Sequence, residues 1–328
     1  MLNMVEKNEI RLDVADMKLL AALDKNCRSP STQLAKKIGK SRQAVDYRIN
    51  QLVKEGIITG FQASINPHKM GYKLYKIYLK LRNLPQKKED LFNYLKRSGF
   101  VYWMGECSGS WDLILGVFCK TDKDFFDLKN EFFSEFSEVI LNVYGDSLVD
   151  VKQFPKMYFL KKSEEPVTFA GEIIDNKLDD LDAKILEEVV NNGRVSLVEL
   201  SFKTKATIKT IQSHMKNLEK EGIIIQYRIG IDLNKIKKEL YKAIISLDNY
   251  SKDNEKKFTN YISSLPQVQY FIRNIWNLEI EFVVDNYQEY YNLLESLKKE
   301  FPYMIKTVDS VLMISDEWTP GFKNLLKK

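Results

Sequence analysis

The 328-residue sequence is poor in the residues that staple or metallate small domains. It has three cysteines, Cys27, Cys107 and Cys119, an odd number with no Cys-x-x-Cys pair. That argues against a disulfide framework or a zinc ribbon and for a reducing, cytoplasmic setting. It has two histidines, His68 and His214, so neither His-based catalysis nor a metal site is expected, and no cofactor is called for. No apolar run approaches the roughly 18–20 residues that a membrane helix needs. Met1–Arg11 carries Glu6, Lys7, Glu9 and Arg11 and no apolar stretch, so no secretory signal is expected. Charge of neither sign dominates: 50 Lys and Arg stand against 45 Asp and Glu, a net of +5. With 29% charged and 44% hydrophobic residues, long disorder and fibrous repeats are excluded as well.

What is present is a duplication. Leu12-Asp13 recurs as Leu178-Asp179, and Asp16-x-Lys18-x-Leu20 as Asp182-x-Lys184-x-Leu186, at an offset of 166. Arg28 matches Arg194, Leu34 matches Leu200, and Lys54–Ile58 matches Lys220–Ile224. Across Leu12–Ile58, 15 of 47 positions are identical without a gap. The register runs on to Tyr75-Lys76 against Tyr241-Lys242, then slips so that Trp111 faces Trp276 at an offset of 165.

Each copy has a helical part and a part that alternates. Leu19, Leu20 and Leu23 have helical spacing, Leu34 and Ile38 lie at i, i+4, and Val45, Ile49 and Leu52 follow the same period. Gly39 suits a tight turn, Ser41 an N-cap and Gly56 a helix end, and Ile57–Ile65 reads as a strand. Three helices, a turn between the second and third, and a β wing make a winged helix-turn-helix. Beyond it, Tyr75, Ile77, Leu79 and Leu81 alternate as a strand. Glu89–Arg97 reads as a helix, Phe100–Cys107 and Trp111–Cys119 as a hairpin, Lys123–Phe136 as a helix and Ile140–Val151 as a strand. That order, β-α-β-β-α-β, is ferredoxin-like. The second copy repeats it over Tyr241–Leu247, Glu255–Ser264, Val268–Asn274, Leu278–Val284, Tyr287–Phe301 and Ile305–Ile314. The expected fold is therefore α+β, with two copies of a winged helix-turn-helix followed by a ferredoxin-like domain. The units are residues 10–66, 67–160, a linker at 161–176, 177–232 and 233–328.

Leu12-Asp-x-x-Asp16, the Leu34–Gly39 helix and turn, Val45, Arg48-Ile49, Leu52 and Glu55-Gly56-Ile57-Ile58 together resemble the N-terminal unit of Lrp/AsnC transcriptional regulators. Gly109-Ser110-Trp111-Asp112-Leu113 is similar to the Gly-x-x-Asp hairpin of that family's ligand-sensing domain. The resemblance covers nearly the whole chain, twice. It implies double-stranded DNA as partner, self-association through the ferredoxin-like sheets and an amino-acid effector. The tandem arrangement departs from the usual single unit and suggests one chain mimicking a dimer.

Charge placement supports the DNA reading. Lys36, Lys37, Lys40, Arg42, Arg48 and Lys54 stand against Asp46 alone, and Lys203, Lys205, Lys209, Lys216 and Lys220 against Glu219. Such clusters neutralise phosphates and release counterions. Ser41 opens the third helix, so Arg42 and Gln43 are the expected base readers. Asp46 and Tyr47 flank them, and Lys40 and Arg48 are expected on phosphate. The second unit offers Lys205, Thr207, Lys209 and His214. Arg42 becomes Ile208 there, and the turn glycine Gly39 becomes Lys205, so the first unit is the expected sequence reader. The competing reading of these clusters is a solvated Lys-rich face.

By resemblance, Gly109, Trp111 and Asp112 line an effector pocket, with Asp112 facing an ammonium group. The alternative is a plain hairpin whose Asp satisfies backbone donors. The second copy has Asn274-Ile275-Trp276-Asn277 at that place, without the Gly and the Asp. His68 is expected in a solvated loop, Cys107 as a small buried hydrophobe, and the Phe125–Phe136 aromatics as sheet-facing core. An enzyme reading also exists, because siroheme decarboxylases resemble the same two-part architecture. Neither Phe100–Cys119 nor Val268–Val284 contains a histidine, so the expectation is a regulator and not an enzyme.

Overall fold

The computed structural model describes residues 12–162, 164–248, 251–315 and 317–318. Met1–Arg11, where no secretory signal was expected, lies outside them. The first helix-turn-helix comprises α1 (Val14–Lys25), α2 (Ser31–Ile38) and α3 (Arg42–Lys54), followed by the wing β1 (Ile58–Ile65). Its counterpart comprises α6 (Asp180–Asn191), α7 (Leu197–Thr204), α8 (Ile208–Lys220) and β7 (Ile224–Ile231). The apolar period seen in the sequence is the buried face: Leu19, Leu20, Leu23, Leu34, Val45 and Ile49 are all in the core.

The two wings pair with each other. β1 runs antiparallel to β7, with Phe61 opposite Ile229 and Ala63 opposite Tyr227. Equivalent residues then clasp across this pair. Arg28 donates to the carbonyls of Gly193 and Val195 at 2.8 and 2.9 Å, and Arg194 donates to the carbonyl of Cys27 at 2.6 Å. Arg28 lies over the Tyr227 ring and Arg194 over Phe61. The two helix-turn-helix units are thus locked into one body inside a single chain.

The ferredoxin-like parts close into a barrel. The first has β2 (Lys73–Leu81), α4 (Pro85–Arg97), β3 (Val101–Gly109), β4 (Leu113–Cys119), α5 (Asp122–Phe136) and β5 (Ile140–Gln153). The second has β8 (Glu239–Leu247), α9 (Lys252–Ser264), β9 (Val268–Asn274), β10 (Leu278–Val284), α10 (Tyr287–Glu300) and β11 (Ile305–Met313). Each sheet has its last strand beside its first. β5 then pairs with β9 and β11 with β3, so eight antiparallel strands form a ring. Helices cover the outside: Leu91, Leu95, Phe132 and Phe136 pack on one sheet, and Phe258, Ile262, Tyr290 and Leu297 on the other. Closure removes the exposed sheet edges that invite aggregation.

The barrel interior is charged. Lys242 is completely buried, with its ammonium bonded to Glu279 at 2.5 Å and Glu281 at 2.9 Å. Tyr78 donates to Glu279 at 2.6 Å. Lys76 stands 3.8 Å from Glu279, and both lysines lie over the Trp103 ring. Burial pushes Lys76 down to about 8 despite the nearby carboxylates. Burial alone would raise Glu279, but the charges of Lys242 and Lys76 outweigh it and hold the carboxyl at about 2. A second buried set fastens the helix-turn-helix units to the barrel: Arg228 grips Asp24 and the Phe154 carbonyl, and Asp24 accepts from the Lys156 N–H.

Two expectations, the linker and the solvated His68, need correcting. The segment 161–176 is more than a linker, since β6 (Val167–Ala170) pairs with the C-terminal half of β5. His68 is buried under that segment, with Nδ1 2.8 Å from the Gly171 carbonyl. Lys205 takes the left-handed turn conformation itself, at φ 57° against 67° for Gly39, so the second turn keeps its geometry at the cost of a strained side chain. Cys107 is buried as expected, and burial lifts its thiol to about 12.

Candidate nucleic-acid interface

The third helix of each unit begins on a side-chain cap. Ser41 accepts from the Ala44 N–H and Thr207 from the Thr210 N–H, both at 3.2 Å. This fixes the first turn and turns residues 42–43 and 208–209 outward. In the first unit Arg42 is 69% exposed, and Tyr47, one turn on, is 65% exposed. Gln43, Lys40, Lys36 and Lys37 are exposed around them. Arg42 lies 3.6 Å from Asp46, which also accepts from Ser31. Asp46 therefore positions Arg42 and ties α3 to α2.

Arg48 is also reassigned. It is turned inward, only 23% exposed, and its guanidinium bridges Asp13 and Asp16 at 2.9 and 2.5 Å. Hydrogen bonds from the Asp16 N–H and from Arg48 hold the Asp13 carboxyl below its ordinary range. A guanidinium engaged by two carboxylates is a poor phosphate ligand, so Arg48 braces α3 against the start of α1. His214 does the same in the second unit, with Nδ1 2.8 Å from Asp182 and 3.9 Å from Asp179. These three groups have ligand-type atoms within 4.8 Å of one another. Their arrangement repeats the Arg48 bridge, so we read it as a hydrogen-bonded brace between α8 and the start of α6.

The second unit presents a different face. Positions equivalent to Thr32, Lys36 and Arg42 are Val198, Phe202 and Ile208, which are 68%, 86% and 41% exposed. Lys205, Lys209 and the capping Thr207 remain exposed. Sequence reading missed this apolar patch, because valine and phenylalanine at i, i+4 look like an ordinary buried helix face. The signal was the substitution of Lys36 by Phe202 between two copies otherwise alike.

The hairpin residues Gly109, Trp111 and Asp112 come together, but not as an open pocket. The Asp112 carboxylate accepts from the Leu81 N–H at 2.8 Å and pairs with Lys80 at 3.0 Å. Gly109 has φ 134°, and a Cβ there would lie 2.4 Å from the Ser310 carbonyl of β11. Trp111 packs beside Tyr78. The glycine makes room for strand β11, and Asp112 satisfies a backbone donor, so the expected ammonium site is already filled by the protein.

A family of winged helix-turn-helix DNA-binding domains matches residues 12–59 and again 178–225. The HTH-type transcriptional regulator Ptr1 of Methanocaldococcus jannaschii is 35% identical over 103 residues, 31% of this chain and 69% of that protein. The HTH-type transcriptional regulator LrpA of Pyrococcus horikoshii is 33% identical over 117 residues, 36% of this chain and 82% of that one. Among solved structures, the siroheme decarboxylase NirDL superposes with a TM-score of 0.63 over 96% of this chain and 97% of its own, at 14% identity. That last likeness is one of fold alone. Among the described residues no helix is long and apolar enough to cross a membrane. The chain belongs to the Lrp/AsnC family of winged helix-turn-helix transcriptional regulators, in a tandem form with both units in one polypeptide.

Proposed function

We propose that the chain is a sequence-specific regulator that reads double-stranded DNA chiefly through its first helix-turn-helix. The observation that carries this is the exposed Arg42–Gln43 turn ringed by Lys36, Lys37 and Lys40, set against Val198, Phe202 and Ile208 at the matching places. Arg and Gln supply paired donors and acceptors for guanine and adenine, and lysines supply phosphate contacts. Selection of binding sites from random DNA is expected to return an asymmetric site with one strong half. A perfect palindrome would reject the assignment.

The reading is of a binding protein, not an enzyme. The cavity between the two sheets beside Lys76, Trp103 and Tyr270 holds only about 50 Å³, far below the ~300–1,000 Å³ of ordinary ligand pockets. Trp103 and the buried lysines fill the space. Protein purified with tetrapyrrole absorbance would favour the decarboxylase-like reading instead. An amino-acid effector at the Gly109 hairpin is not part of the proposal, because Asp112 is already committed to Leu81 and Lys80. A thermal shift with an amino acid that Asp112→Ala abolished would reverse this. Self-association through the ferredoxin-like parts does belong to it, supported by Ile275 and Trp276, exposed on the β9–β10 turn. Light scattering at micromolar concentration is expected to exceed one chain, and a strictly monomeric result rejects that part.

A further inference from the structure

The duplication allows each half to be searched for what fills the other. In the first half, β6 and the residues after it occupy a corner between the barrel and the first wing. The Asn66 carboxamide donates to the Ala170 carbonyl at 3.4 Å and accepts from its N–H at 3.1 Å. Gly171 donates to the Val149 carbonyl at 2.9 Å and Ile174 to the His68 carbonyl at 2.8 Å. The internal alignment carries Asn66, His68, Val149 and Asp150 onto Asp232, Asn234, Ile314 and Ser315. Those four residues line a cavity of about 600 Å³, and among the described residues no strand pairs there as β6 does beside β5.

Two further observations indicate that a polar chain belongs in it. Tyr158 and Gln269 line the same cavity. They are 7% and 6% exposed, and the Tyr158 hydroxyl and the Gln269 side-chain amide oxygen (Oε1) have no hydrogen-bond partner among the described residues. A buried polar atom left unpaired is destabilising, and a ligand offering backbone-like donors and acceptors recovers that loss. The adjoining strand is open on the same side. β11 pairs with β8 as far as Leu312, while Met313 pairs with Cys107 and the N–H groups of Ile314 and Ser315 turn to Glu106, on the opposite edge.

We propose that this cleft binds an extended peptide segment of a partner protein, added along Ile314–Ser315 as Ala170 and Gly171, at the end of β6, lie along Val149–Asp150. Main-chain pairing would give affinity, and the apolar floor of Ile229, Leu233 and Leu240 would select alternate side chains. The proposal does not depend on how the chain reads DNA.

The test is selection of linear peptides from a displayed random library on the full chain, followed by fluorescence polarisation with the recovered peptides. Asn234 is exposed at the rim, so Asn234→Trp fills the cleft without disturbing the core. The expected result is a loss of about tenfold or more in affinity for that variant, with hydrogen exchange at residues 312–315 slowed by peptide only in the parent chain. Phe202→Ser, on a different surface, is expected to bind as the parent does. Failure to enrich any peptide, or peptides that bind Asn234→Trp equally and leave residues 312–315 exchanging unchanged, overturns the proposal. If peptide binds only after deletion of residues 319–328, the occupant is this chain's own C-terminal segment and the partner assignment falls.

Discussion

The two helix-turn-helix units share a skeleton and differ on the surface that skeleton presents. Both first helices begin with an Asp-x-x-Asp capping box, both third helices with a hydroxyl cap, and both third helices are braced to those carboxylates. Yet Lys36 and Arg42 of one unit are Phe202 and Ile208 of the other. The contacts that hold the unit together stayed, even where residues changed as from Arg48 to His214, while the face turned outward changed its chemistry. The same split runs through the barrel: Ile114 and Gly116 of the first half stand where the second has Glu279 and Glu281. One half thus supplies all the acid for a pair of lysines, Lys76 and Lys242, that the duplication placed in both.

The largest expected effect tests that barrel asymmetry. Glu279→Ala leaves two buried ammonium groups with one weaker partner, and should cost about 3–5 kcal/mol of stability in chemical denaturation. A loss below 1 kcal/mol would mean that the interior admits water freely. The companion prediction concerns acid. Glu279 titrates near 2 in the folded chain against an ordinary 4.5. Its stabilisation is therefore complete above about 4.5 and is lost as pH falls toward 2, about 3 kcal/mol in all. Glu279→Gln should flatten this limb of the stability profile, and an unchanged limb would reassign it to other carboxylates.

The next effect tests the reading heads. Arg42→Ala should relax specificity at one base pair by about 1–3 kcal/mol, whereas Ile208→Ala should change selected sites little. Lys40→Ala should weaken binding to all sequences and lower the salt slope by about one unit. Equal losses from Arg42→Ala and Ile208→Ala would erase the distinction between the units. The smallest effect concerns the turns. Gly39→Lys should destabilise by about 1 kcal/mol, and Lys205→Gly should gain about 0.5 kcal/mol, because a left-handed residue strains any side chain while glycine also loses more entropy on folding. Thermal denaturation of the pair would show whether the second turn is held by its own residues or by its neighbours.

The duplication, the helix-turn-helix, its caps and the strand–helix order were legible in the sequence because each is a local pattern. Ser41, Thr207 and Gly39 act within a few residues of themselves. The pairing of β1 with β7, the closure of β11 on β3 and the return of β6 were not legible, because a strand's period does not name its partner. Arg48 shows a subtler limit. A basic residue on a third helix looks like a phosphate ligand until the position of Asp13 and Asp16 beneath it is known. Lys242, Glu279 and Glu281 likewise alternate as an exposed strand face would, and only ring closure makes that face an interior.

The clasp between the wings has a consequence for dosage. Two separate subunits must find each other before they act together, so their paired form falls with the square of concentration on dilution. Here Arg28 and Arg194 reach across within one chain, and covalent linkage replaces that encounter with an effective concentration set by the tether. The number of paired reading heads in a cell should then track the number of chains one for one. Neither head can be exchanged for that of a related protein.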